Sequence, residues 1–233
     1  MNSNESKSSP SRRNFIGAIA AGAAAGITSM AAPITSFANE NFETNGTFDD
    51  PEEMFKKLTG KHRIVFDSPR PHEVFPFAWP RVFLLTNEAT GVKDQDVSVV
   101  VVLRHSSIGY AMDDKLWQKY PLGKTFEAND PETKQPATRN PFWKPKPGAF
   151  KMPGIGELFI GIDQLQANGV KFCVCSAAIN VYSAVIAESM KMKHEDVKKD
   201  FMDAILPGIQ PVPSGVWALG RAQDHGCGYI FAG

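Results

Sequence analysis

The chain has 233 residues, 25 Lys+Arg against 25 Asp+Glu, no formal net charge, and 42% hydrophobic residues. That balance gives no electrostatic reason to expect nucleic acid or an anionic membrane surface as a partner. The length suits one domain with a proper core behind a leader.

The leader is expected over residues 1–38. A polar start carries Lys7, Arg12 and Arg13, and an Ala/Gly/Ile/Met-rich run follows over 16–34. Ser36-Phe37-Ala38 supplies the small-x-small pattern of a signal peptidase site, with cleavage after Ala38. Ser11-Arg12-Arg13-Asn14-Phe15-Ile16 resembles a twin-arginine export motif, which predicts a periplasmic or otherwise exported protein. Removing the leader's three cations and its one acid, Glu5, leaves 22 bases and 24 acids. No second apolar run is long enough to span a bilayer. Residues 39–53 hold six acids and no base and read as a flexible acidic linker, with the domain starting near Met54.

Strand runs are expected at Arg63–Asp67, Val97–Leu103, Val170–Cys175, Ile209–Val212 and Tyr229–Phe231. The second, VSVVVVL, is the near-continuous β-branched run of a strand buried on both faces. Helices are expected between them. The first covers Ala78–Ala89 after Pro80, with Val82, Leu85 and Ala89 on one face. The second runs Leu158–Ala167 and is stopped by Asn168-Gly169. Ala177–Ser189 is mostly apolar and reads as well buried; His194–Ile205 aligns Val197, Phe201, Met202 and Ile205; and Ser214 caps a helix ending at His225-Gly226. Strands alternating with helices predict a three-layer α/β/α sandwich on a mostly parallel five-stranded, flavodoxin-like sheet, with sites beyond the carboxyl ends of the strands.

Residues 120–153 break the rhythm. They hold seven prolines, with Tyr120, Phe126, Phe142, Trp143 and Phe150 among them. A stretch this long reads as an ordered excursion that packs on its own domain or on a neighbouring subunit, or else as a decorative insertion.

Three cysteines fall in or beside strands. Alternation puts Cys173 and Cys175 on one face, about 6.6 Å apart with parallel side chains, so a bridge between them is not expected. Cys227 starts the last strand, on the rim opposite Cys175. Cys173 and Cys227 read as packing residues. Cys175 ends its strand where a helix begins, with Ser176 next as N-cap, and a helix N-terminus favours a nucleophilic thiolate. Packing remains the other reading of Cys175. His105 follows the long strand onto the same rim, where it can serve the thiol or cap backbone carbonyls. Asp67 and Ser68 end the first strand there and are candidate binding residues with Ser176. If the first strand lies between the second and third, they stand between His105 and Cys175. No cofactor is implied: there is no dinucleotide fingerprint, phosphate loop, haem-attachment motif or strong metal spacing. Cys173 and Cys175 are secondary candidates for a soft metal ion.

Gly169-Val170-Lys171-Phe172-Cys173-Val174-Cys175 resembles a strand of the DsrE/DsrF-like family. Val212-Pro213-Ser214-Gly215-Val216, then Arg221-Ala222-Gln223 and Gly226-Cys227-Gly228-Tyr229-Ile230, resembles that family's closing segment. The strand ending in His105 is similar to a third family strand. The resemblance spans about residues 61–231 without the insertion. It implies a parallel α/β domain assembled as a homo-oligomer, a trimer or hexamer, with a persulfide relay through Cys175 in some members and a protein thiol as partner. The resulting function is sulfur or thiol handling of sulfurtransferase type, with catalytic Cys175 assisted by His105. The alternatives are a non-catalytic oligomeric binding or assembly module that uses the insertion, and soft-metal binding.

Overall fold

The structure, a computed structural model, describes residues 50–154 and 156–233. The expected signal peptide, Arg12, Arg13, the Ala38 cleavage point and residues 39–49 of the linker lie outside the described residues.

The described chain opens with helix α1 (Pro51–Lys56), capped by the Asp50 carboxylate, which accepts from the Glu52 amide. Residues 51–53 are therefore helical rather than linker. An acid at the N-cap, Pro at the first helical position and acids in the first turn all favour a helix start. Strand β1 (His62–Ser68) leads to α2 (Phe75–Ala89), and β2 spans Val97–Leu103. A 3₁₀ segment (His105–Ala111) enters the insertion region, with short helices α3 (Asp114–Lys119) and α4 (Leu122–Thr125) and a small antiparallel ribbon, β3 (Lys151–Met152) with β4 (Gly156–Glu157). Then follow α5 (Ile162–Ala167), β5 (Lys171–Cys175), α6 (Ser176–Met190), α7 (His194–Asp203), β6 (Ile209–Val212), α8 (Gly215–Asp224) and β7 (Gly228–Phe231).

The five main strands form one parallel sheet in the order β6-β5-β2-β1-β7. This is the expected α/β class. The strand order, 4-3-2-1-5 in chain sequence, differs from flavodoxin's 2-1-3-4-5. It places β2, not β1, at the centre. VSVVVVL is buried along almost its whole length, which the central position requires. Asp67 and Ser68 therefore lie on the far side of β2 from Cys175, not between Cys175 and His105.

The helices divide unequally. Ile64, Phe66, Val99, Val101, Leu103, Phe172 and Val174 pack into one large core with α2, α5, α6, α7 and the insertion. Val65, Val100, Val102 and Cys173 face a smaller core made with α1 and α8. Two helices depart from the sequence reading. α2 starts at Phe75 and carries Pro80 inside it, because buried Phe77, Ala78 and Pro80 offset the lost backbone bond. α6 buries Ala178, Ile179, Ser183, Ile186 and Ala187 on one side and leaves Val181 and Val185 about half exposed on the other.

The insertion belongs to the large core. Tyr120, Phe126, Phe142 and Phe150 are buried, with Phe142 stacked on Phe77 at 4.2 Å and on Phe150 at 5.2 Å between ring centroids. Asn140, wholly buried, fixes the return of the chain: its side-chain amide donates to the Tyr110 and Met112 carbonyls at 2.8 and 2.9 Å, and its Oδ1 accepts from the Phe142 amide. Tyr120 hydroxyl donates to Asp200 on α7. Among the described residues, no helix is long and apolar enough to cross a membrane.

Candidate functional site

The carboxyl ends of the strands gather the chemistry. β5 feeds α6 on the thick face of the sheet, whereas β6 feeds α8 on the thin face. Adjacent strands whose chains leave in opposite directions open a crevice between them, and ligands of open α/β sheets bind in such crevices. Cys175 stands at that switch point, paired in register with Val212.

Cys175 is itself the N-cap of α6. Its Sγ accepts from the Ala178 amide at 3.3 Å, and the residue is 7% exposed. Capping turns it out of strand alternation: it packs with the α6-side core, while Cys173 packs on the α8 side. The two thiols therefore do not share one face, which removes the geometry expected for a shared metal ion. Cys173 Sγ contacts the Val101 carbonyl oxygen at 3.8 Å, and complete burial pushes its thiol pKa far up. All three cysteines are free and buried. Burial also pushes the Cys227 thiol up, with Arg63 opposing. Ser176 is the first residue of α6 rather than its cap, and its Oγ is buried with no hydrogen-bond partner among the described residues.

Arg104 is the residue the sequence reading passed over. The β2–β5 register ends at Leu103 opposite Val174, so Arg104 and Cys175 are the next pair across the sheet. Strand spacing alone then sets their backbones about 5 Å apart. Arg104 Nε donates to Asp67 Oδ1 at 2.7 Å and Nη2 to Asp67 Oδ2 at 2.9 Å, a two-pronged pair. Tyr229 hydroxyl donates to the same Oδ2 at 2.7 Å. Asp67 is 1% exposed and the Arg104 side chain 26%. The hydrogen bond to Asp67 raises the guanidinium pKa, against a smaller opposing effect of burial; the Asp67 charge adds to the rise, and Tyr229 and Cys175 add to it when ionised. Gly215, the first residue of α8, lies so close that a Cβ there would sit 2.4 Å from Arg104 Cβ. Glycine is therefore required where α8 meets the arginine stem.

Ser68 is a structural neighbour of this cluster. Its Oγ is 2.8 Å from Ser107 Oγ, and its carbonyl accepts from the Arg104 amide. His105 sits at φ 49°, a left-handed conformation. The Tyr182 hydroxyl on α6 is 3.3 Å from each of its ring nitrogens. Burial lowers its pKa first and Arg104 second, while the Pro69 carbonyl opposes. The structure thus brings Asp67, Arg104, Tyr229, Cys175 and the start of α8 to one rim. It directs the His105 ring to Tyr182 rather than to the Cys175 sulfur. Leu103-Arg104-His105 was visible as a cationic strand end in the sequence, but the Asp67–Arg104 pairing needs the β1–β2 register. Among the described residues, no three His, Cys, Asp or Glu side chains are grouped to hold a metal ion.

No family model matches the sequence, and no curated protein matches it. Among solved structures, the chain is similar to a protein of unknown function from Methanobacterium thermoautotrophicum, at 19% identity and a TM-score of 0.32. The match covers 73% of this chain and 98% of that one. The functional argument rests on the geometry of the rim.

Proposed function

We propose that this is an exported DsrE/DsrF-like protein that handles sulfur through Cys175, as a sulfurtransferase-like carrier. The observation that supports the reading is the position of Cys175: the last residue of β5, at the switch point, capping a fifteen-residue helix and beside Arg104. An amide aimed at the sulfur, the start of a long helix and a guanidinium all place positive potential where a thiolate forms. In the proposed step, the Cys175 thiolate attacks a sulfane sulfur. The donor's S–S bond breaks, its electron pair leaves with the remaining fragment, and a Cys175 persulfide forms. A partner thiolate then takes the terminal sulfur and returns the Cys175 thiolate. The twin-arginine motif supports an exported location, and oligomerisation as a trimer or hexamer is part of the proposal.

Incubation of the reduced protein with inorganic polysulfide tests it. Mass spectrometry should show a gain of one sulfur atom on the peptide carrying Cys175 and none in Cys175→Ala. Absence of the adduct in the wild type refutes the reading. A second reading, that Cys175 serves only to cap α6, is favoured by its 7% exposure, and that same absence supports it. The assembly reading no longer draws on the insertion, whose buried aromatics hold the domain together. It would have to use the exposed Val181 and Val185 of α6 or the exposed edge strand β7.

A further inference from the structure

We infer that Arg104 is an anion-binding residue and that the sulfur donor taken at Cys175 is an anion, a sulfane sulfur carried on an oxyanion. The inference rests on the sulfur-handling reading above and names its substrate class.

Four observations carry it. First, Arg104 is held rigidly but not used up. Asp67 takes Nε and Nη2, and Gly215 packs on the stem, while Nη1 has no hydrogen-bond partner among the described residues. A guanidinium fixed along one edge offers its other edge to a ligand at little further entropic cost. Second, register makes Arg104 the lateral neighbour of Cys175 at the carboxyl rim, and the guanidinium lies within electrostatic reach of the sulfur. Third, two helices of fifteen and ten residues start at this rim. The chain segments that open them are tied together by the Ala177 amide donating to the Pro213 carbonyl at 3.2 Å. Fourth, Ser176 Oγ is a buried hydroxyl with no protein partner, at the first turn of α6. Buried polar groups are nearly always satisfied, so an unmatched hydroxyl in the first turn of α6 suits a ligand oxygen.

Asp67 does not cancel this. Its carboxylate meets the Nε–Nη2 edge of the guanidinium from β1 and is shared with Tyr229, away from β5. It holds Arg104 in place and leaves the β5 side positive. Thiosulfate is the simplest donor of the class. The Cys175 thiolate attacks its outer sulfur, the S–S bond breaks with its electron pair going to the leaving sulfite, and the persulfide remains as an anion. Charge and atoms balance without an oxidant or a reductant.

Two measurements test it. The first is the rate of sulfur gain on Cys175 from thiosulfate. The second is the ratio of Cys175 alkylation by iodoacetate to that by iodoacetamide, two reagents of nearly equal size that differ in charge, so partial burial of the thiol cancels. Arg104→Gln should slow the thiosulfate reaction about tenfold or more and lower the iodoacetate to iodoacetamide ratio by a similar factor. Arg104→Lys should keep much of the ratio. Because Arg104→Gln leaves the buried Asp67 carboxyl without its guanidinium partner, Asp67→Asn/Arg104→Gln provides a neutral pair as a second variant and should show the same losses. Unchanged thiosulfate rate and ratio in both variants overturn the inference while polysulfide loading of the wild type leaves the sulfur-handling reading standing. Polysulfide loading with no thiosulfate reaction in the wild type also overturns it. Failure of every donor on the wild type removes the reading on which it rests.

Discussion

The two faces of the sheet are built for different work. The thick face is sealed by α2, α6, α7 and the insertion, with aromatic rings stacked from Phe77 through Phe142 to Phe150. Among the described residues the thin face is covered by α1 and α8, and its strand positions lead at the carboxyl rim to Asp67, Arg104 and Tyr229. The Arg104 side chain there is 26% exposed, so the charge pair costs less desolvation than it would beneath the aromatic layer. The aromatic core and the Asp67–Arg104 charge pair are thus placed on opposite sides of one set of strands, and Cys175 stands where the chain changes sides.

The largest effect that could break this division is on the thick face. Phe142→Ala removes a fully buried ring that touches Phe77, Tyr110 and Phe150. Truncations of this kind cost about 3–5 kcal/mol. Denaturant unfolding should show that loss, while the protein that remains folded still alkylates at Cys175. A loss below about 1 kcal/mol would mean that the insertion is an ornament after all.

How far the sequence revealed this arrangement varies by element. The strand runs were legible because β-branched residues at buried positions leave little ambiguity, as in VSVVVVL. The α8 boundaries were legible from Ser214 and Gly226, because caps are local chemistry: Ser214 Oγ accepts from the Trp217 amide at 3.2 Å. The start of α2 was not, since Pro80 signals a first turn and only tertiary burial of Phe77 and Ala78 extends the helix upstream of it. The insertion's role was hidden because the partners of Phe142 come from α2 and the 3₁₀ segment, far away in sequence. At the site, Cys175 was legible as a strand end before a helix. The partner of Arg104 was not, since Asp67 lies 37 residues upstream and meets it only through strand register. Alternation even misled at Cys175, where capping overrode the two-residue period.

That last point yields a sharper comparison between the two thiols of β5. Cys173→Ala removes a sulfur from the small core and should cost about 1 kcal/mol without altering sulfur gain at Cys175. Cys175→Ser keeps a side chain that caps helices well, so stability should stay within about 0.5 kcal/mol while sulfur gain is lost. Unfolding curves and mass spectrometry on both variants check the pair. If Cys173→Ala also abolishes the adduct, the two faces are coupled and the division of labour fails.

The smallest effect tests whether the rim feels Arg104 from the other side. Burial and Arg104 hold the His105 pKa below its ordinary 6.5, with Pro69 opposing. The unfolded chain therefore binds that proton more readily than the native state. Well above 6.5 both states are unprotonated and nothing is lost. As pH falls below about 6.5 the native state loses stability, and the loss is complete once pH is below the depressed folded value. His105→Asn isolates this contribution, because asparagine tolerates the left-handed backbone at φ 49° and carries no titrating proton. Between pH 7 and 5 the wild type should lose stability more steeply than the variant, by a fraction of the total read from parallel unfolding curves. Equal slopes would mean that the His105 ring stays as solvated as in the unfolded chain. The packing of Tyr182 over it and the field of Arg104 beside it would then be too weak to matter, and the rim's positive potential would have to come from the helix starts alone.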